Sequence, residues 1–189
     1  MKTINDIIFD NFIYRLARFW FFILYDMTGA HLAISLPHAH LMSFIHPFSR
    51  TIECKDQIET NLDKRITLFT YEDNIYWLIE NFYFQNRPQL QKILIFCSSN
   101  EEQDYWTKWT ERYRHKIQEP FLHNELDINL LLFGLKHIKT VQKQFFNDHG
   151  ILNRIQEDKR LIKHALANYF HQRVIEEDDK TKQSEEAQS

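Results

Sequence analysis

A chain of 189 residues, 43% apolar and 15% aromatic, is long enough to bury one sizeable core and too short for two full-sized domains. Its formal charge is −3 and its Lys and Arg residues are spread out, so no basic stripe stands ready to neutralise a phosphate backbone, which argues against nucleic acid as a partner. Cys54 and Cys97 lie far apart without CxxC spacing, giving neither a disulfide framework nor a cysteine metal site; a reducing, cytoplasmic setting is expected.

The most apolar stretch, Phe19-Trp20-Phe21-Phe22-Ile23-Leu24-Tyr25, is seven residues long, whereas a membrane-spanning helix needs about 20. No membrane span is expected. Asp6 and Asp10 interrupt the place where a signal peptide would carry its apolar segment. Residues 12–25 then lead through Asp26-Met27-Thr28-Gly29 into Ala30 to Pro37, where Leu32, Ile34 and Leu36 alternate with small or polar neighbours, a pattern that predicts a β-hairpin. Leu41 to Ile52 carries Pro47, which predicts an irregular or edge strand. A boundary is expected within Lys55–Lys64.

From residue 65 the pattern changes. Ile66 to Thr70 reads as a strand, Ile75, Leu78, Ile79 and Phe82 recur at helical spacing over residues 72–86, and Asn86-Arg87-Pro88 ends that helix. Lys92 to Cys97 reads as a buried strand, and Ser99 with Glu102 forms a capping box for a helix over residues 100–117. After Pro120, the run Ile128 to Phe133 predicts a third strand closed by Gly134. A helix over residues 136–148, with Ile138, Val141 and Phe145 on one face, then stops at Gly150. Three strand–helix units in succession imply a parallel sheet with right-handed crossovers.

The expected architecture is α/β. A small N-terminal β region occupies residues 1–60 and a parallel sheet residues 61–157. One more helix follows at 158–176, its pattern starting near residue 154, and residues 177–189 form an acidic, disordered tail.

Gly29-Ala30-His31-Leu32-Ala33-Ile34-Ser35-Leu36-Pro37 followed by His46-Pro47-Phe48-Ser49 resembles the opening of the flavin domain in the ferredoxin–NADP reductase-like superfamily. There a GxHxxxxxP strand precedes a short motif that packs on the isoalloxazine ring. The resemblance implies that Phe48 lies against a flavin ring, that Ser49 donates a hydrogen bond to it, and that His46 takes the basic position. It continues through the strands and helices of residues 66–117 to Leu130 to Leu135, His149-Gly150-Ile151 and Arg154-Ile155-Gln156-Glu157. These are similar to the family's strand, Cys-Gly-Pro turn, helix and closing segment, so Phe133 and Gly134 would stand beside a nicotinamide.

The chain also departs from that family. Where relatives place a glycine-rich turn for a diphosphate, it reads Thr70-Tyr71-Glu72-Asp73-Asn74, and two carboxylates at a helix start repel phosphate. Between Ser49 and Ile66 there is too little chain for the later flavin-domain strands. The expectation is therefore a shortened, degenerate member, non-catalytic, that binds a protein partner or acts as a scaffold and holds no cofactor. One alternative is a flavin-dependent NAD(P)H oxidoreductase holding FAD or FMN. A second is a pleckstrin-homology-like module, suggested by a capped helix with Trp106 after a strand.

Other features have plainer readings. His31, His38, His40 and His46 fall close together, but no third ligand accompanies the same-face pair His38 and His40, so no metal site is assigned. Trp106, Trp109 and Tyr113 read as a core face, Cys97 as a buried thiol, and Glu101 with Glu102 as partners of a helix dipole.

Overall fold

The computed structural model describes residues 12–25 and 44–186. In chain order they form α1 (Phe12–Leu16), β1 (Phe19–Leu24), β2 (Ile45–Phe48), α2 (Thr51–Thr60), β3 (Arg65–Tyr71), α3 (Tyr76–Ile79), β4 (Leu90–Cys97), α4 (Asn100–Thr110), β5 (Phe121–Leu122), α5 (Leu126–Gln144) and α6 (His149–Glu186). The five strands make one sheet in the order β2-β1-β3-β4-β5, and every pairing is parallel. Helices cover both faces, so the expected α/β class with a parallel sheet and a C-terminal helix is what the chain adopts.

A strand buried on both faces needs apolar side chains at consecutive positions, not at alternate ones. The run Phe19–Leu24 is such a strand. Phe21 and Ile23 point into a cluster formed with α1, α5 and α6, whereas Phe22 and Leu24 point into a second cluster with α2, α4 and the short helices after β3. All four are fully buried, and each such side chain is worth about 1.5–3 kcal/mol of transfer free energy. Both edges of β1 are occupied, by β2 and β3, so Phe19–Leu24 cannot also pair in a hairpin with residues 30–37. That proposed return strand, and with it His31, His38 and His40, lies outside the described residues. Pro47 sits in β2, which among the described residues is an edge strand, as expected. The sheet runs across the boundary anticipated within Lys55–Lys64, where α2 links β2 to β3.

Several sequence-based elements are corrected. Residues 72–86 do not make one helix: a 3-10 turn (Glu72–Asn74), a single α-helical turn (α3) and another 3-10 turn (Glu80–Phe82) follow one another. Leu78 and Phe84 are both fully buried, and six residues apart on a straight helix they would point about 120° from each other. The chain instead bends, with the Phe84 N–H donating to the Leu78 carbonyl at 3.1 Å. Phe82, 56% exposed, takes a left-handed φ of 53° at the bend. Glycine adopts that conformation without the Cβ penalty of about 1–2 kcal/mol. Phe82→Gly is therefore expected to raise the urea midpoint by an amount equivalent to about 1 kcal/mol; a lowered midpoint would show that the exposed ring matters more than the backbone.

The run Ile128 to Phe133 is not a strand but the middle of α5, and Gly134 lies inside that helix. Buried positions Leu126, Leu130, Leu131, Gly134, His137, Ile138 and Val141 recur at helical spacing, and Leu132 within the run is half exposed. Leucine favours a helix, and β-branched residues that would favour a strand are scarce here. The strand of this third unit is the two-residue β5 just after Pro120. Other expectations hold: Ser99 caps α4, its Oγ accepting from Glu102 N–H, and Trp106 is buried with Trp109 and Tyr113 packed beside it.

Where α5 ends, the Gln144 side chain accepts from Arg18 N–H at 2.8 Å, which fixes that end at the amino edge of the sheet. Asp148 accepts from Ile151 N–H and starts α6, and the Tyr14 hydroxyl donates to Asp158 at 2.6 Å. Helix α6 therefore runs back toward the carboxyl edge. At 38 residues it is roughly 57 Å long, about twice the length of α5. Its last buried residue among those described is Leu166. Instead of ending at residue 176 before a disordered tail, the helix continues through the acidic segment to Glu186.

Candidate functional site

In the order 2-1-3-4-5, connections leave β1 and β3 in opposite directions, which opens a crevice at the carboxyl ends of those two strands. Tyr25 follows β1 there, and Tyr71-Glu72-Asp73-Asn74 follows β3. Glu72 is 5% exposed. Its carboxylate accepts from Ser98 N–H at 3.1 Å and from Ser98 Oγ at 2.5 Å, joining the ends of β3 and β4. Burial and the neighbouring Glu72 charge push the Asp73 carboxyl up, and burial pushes the Tyr71 hydroxyl up. Asn74 is also buried; its Oδ1 lies 3.5 Å from Thr51 Oγ1, while its Nδ2 has no hydrogen-bond partner among the described residues. The crevice thus carries carboxylate oxygens where a dinucleotide domain presents backbone N–H groups and a helix N-terminus to a diphosphate.

The residues singled out for a flavin and a nicotinamide are not brought together. His46 and Phe48 project from β2 onto the side of the sheet covered by α2, where Phe48 meets Phe22 edge-on at 4.8 Å and His46 stacks on Trp20 at 5.1 Å. Ser49 follows the strand and is exposed. Phe133 and Gly134 belong to α5 on the opposite side: Phe133 packs on Phe21 and Phe69, and Gly134 lies against the Phe44 ring. The sheet separates the two groups.

No family model, curated protein or solved structure matches this chain. Its chemistry has to be read from its own groups.

His46 and Phe48 line an open cavity of about 810 Å³ with Arg15, Trp20, Glu53 and Asp56. His46 is held neutral, its pKa lowered to about 4 by burial and by the nearby Arg15 and Lys64 charges. Its Nε2 has no hydrogen-bond partner among the described residues. A neutral imidazole stacked on an indole is a packed group here more than a proton carrier. On the other side of the sheet His137, which sequence reasoning passed over, sits among the rings of Tyr14, Phe21, Phe44 and Phe133. Burial lowers its pKa to about 4 as well. Its place four residues after Phe133 and one before Ile138 is the signal that could have marked it as a core position.

Cys54 and Cys97 are buried free thiols. Burial raises both, Cys97 to about 12 with the Glu72 charge adding to the effect, so neither is primed as a nucleophile. Among the described residues, no group of three or more His, Cys, Asp or Glu could hold a metal ion, and no helix is long and apolar enough to cross a membrane.

Proposed function

We propose that this chain is a non-catalytic α/β assembly protein: a doubly wound core that carries a long helical arm, α6, as its contact surface. The observation that carries this reading is where α6 stops packing. Beyond Leu166 the described side chains are exposed apart from the half-buried Tyr169, yet Phe170, Val174 and Ile175 are still apolar, with exposures of 54%, 55% and 48%. A helix that long, anchored at one end by Tyr14–Asp158 and by the α5 face, gains nothing for the core from its outer half. Exposed apolar residues on such an arm fit contact with another surface.

Three features support this reading over a reductase. Glu72 and Asp73 occupy the switch-point crevice with negative charge. Phe48 and Phe133 stand on opposite faces of the sheet. The open parallel sheet is also a different architecture from the barrel that the pleckstrin-homology-like alternative requires; that reading is set aside.

The test places a photo-crosslinking phenylalanine analogue at position 170 of the full chain in cells, with position 62 as control because Leu62 is 73% exposed away from the arm. A discrete adduct from position 170 and none from 62 is expected. No adduct from 170, or equal adducts from both, would refute the arm as a contact surface. In parallel, titration with FAD and FMN to high micromolar concentration should leave flavin fluorescence unchanged. Binding that Phe48→Ala weakens would reinstate the flavoprotein reading.

A further inference from the structure

One side of α6 carries Arg160, Lys163, Ala167, Phe170, Val174 and Glu177, spaced three, four, three, four and three residues apart. That alternation is the seam of a left-handed helix pair. All six residues are exposed, and the seam lies to one side of the stripe through Ile155, Ile162 and Leu166 that packs on the domain. It is therefore a separate face, not the frayed end of the core.

Charge is distributed along the seam with a direction. Arg160, which also holds Glu157 of its own helix at 2.6 Å, and Lys163 stand at its start, Ala167, Phe170 and Val174 in the middle, and Glu177, followed by Asp178, at its end. We infer that a second copy of this chain covers this face, the two α6 helices lying antiparallel about a two-fold axis between Ala167 and Phe170. In that alignment Arg160 meets Glu177 of the other copy at both ends, and Lys163 lies beside Val174 within one turn of Glu177. Ala167 sits opposite Phe170, a small residue against a large one. A parallel pair would set Arg160 against Arg160 and Glu177 against Glu177, which like-charge repulsion opposes. The contact is isologous, so it closes as a dimer and does not propagate. Six seam positions per copy bury less than the roughly 1,200 Å² of a standard stable interface, so association is weak, concentration-dependent and sensitive to salt.

This inference rests on the assembly reading and names its partner. The full chain is to be followed by sedimentation equilibrium from a few micromolar to several hundred micromolar. A monomer–dimer equilibrium is expected at low salt. Glu177→Lys with Asp178→Lys should abolish it, and adding Arg160→Glu with Lys163→Glu to the same chain should restore it, because the swapped ends again attract. These surface changes leave the core untouched, and circular dichroism checks that each variant is folded. A chain that stays monomeric throughout overturns the inference, and so does a dimer indifferent to the charge reversal or one that the swap fails to rescue. The adduct from position 170 separates the two readings: at the mass of two copies it supports self-pairing. At any other mass it overturns self-pairing and leaves the arm a contact surface for a different protein.

Discussion

Gly134→Ala should lower stability by about 1–3 kcal/mol, the range for forcing a methyl group into a packed interior. A Cβ built on Gly134 would overlap Phe44 Cζ and stand 3.0 Å from Phe44 Cε2. Something must move, and Phe44 has little room: it is fully buried, stacked on Phe21 at 5.8 Å and edge-on to Tyr14 at 5.9 Å. The expected sign opposes helix propensity, which alone would reward alanine over glycine in a helix interior by about 1 kcal/mol. Urea denaturation of the variant decides between the two. Phe44→Leu removes part of the ring, so the double variant should be less destabilised than the sum of the single changes. A neutral or stabilising Gly134→Ala would mean that the Phe44 ring does not lie against α5.

Acid should weaken the fold more steeply once Asp127 is replaced. His137 and His46 have folded pKa values near 4 against an ordinary 6.5, because burial disfavours their charged forms. Their stabilising contribution is therefore present above about pH 6.5 and is lost as pH falls through about 4. His46, less completely covered, supplies the smaller share. Asp127, half-buried in the first turn of α5 and with no partner at its covered Oδ1 among the described residues, is pushed up to about 7 by burial. Its contribution has the opposite sign, present below its unfolded pKa and lost as pH rises through about 7.

Between about pH 6.5 and pH 4 the unfolded chain binds up to two more protons at the histidines, and the folded chain one more at Asp127. From these three groups the net is about one proton, a contribution of about 1.4 kcal/mol of lost stability per pH unit. Asp127→Asn removes the offset, and the slope of unfolding free energy against pH should steepen by about one proton, roughly 1.4 kcal/mol per pH unit, over that window. His137→Gln should flatten it. Unchanged slopes in both variants would show that these groups are solvated in the folded protein.

The fold class was legible because the strongest signals are long and local. Lys92–Cys97 and Ile66–Thr70 are β-prone runs too short to be helices, each followed or preceded by turn residues, and Ser99-x-x-Glu102 announces a helix start. Pro47 marked an edge strand by a donor it lacks. Misreadings arose where tertiary packing overrides a local pattern. Ile128 to Phe133 has the continuous apolar character of a buried strand; exposed Leu132 and the seven buried positions of α5 identify a helix, but burial is not visible in a sequence. Phe19–Leu24 looked like half of a hairpin because nothing local says whether a strand will have one neighbour or two.

The candidate site was legible in its chemistry and not in its geometry. Glu72 and Asp73, read as hostile to phosphate, stand at the switch point between β1 and β3. Phe48 and Phe133 were linked by order along the chain, which cannot show that a sheet will lie between them. His137 escaped notice because a histidine within an apolar helix gives the same signal whether it packs or reacts.

Pro47 has a consequence for how copies of this protein can associate. The Phe48 carbonyl points inward and accepts from Tyr25 N–H, so the next residue along β2, Pro47, points outward. A strand added from another molecule would meet, at that outward position, a ring with no N–H to offer. Among the described strands, growth of the sheet across molecules is thereby disfavoured at its β2 margin, a standard safeguard against edge-to-edge aggregation. Copies can then gather through a helix that closes after two, while their sheets stay finite.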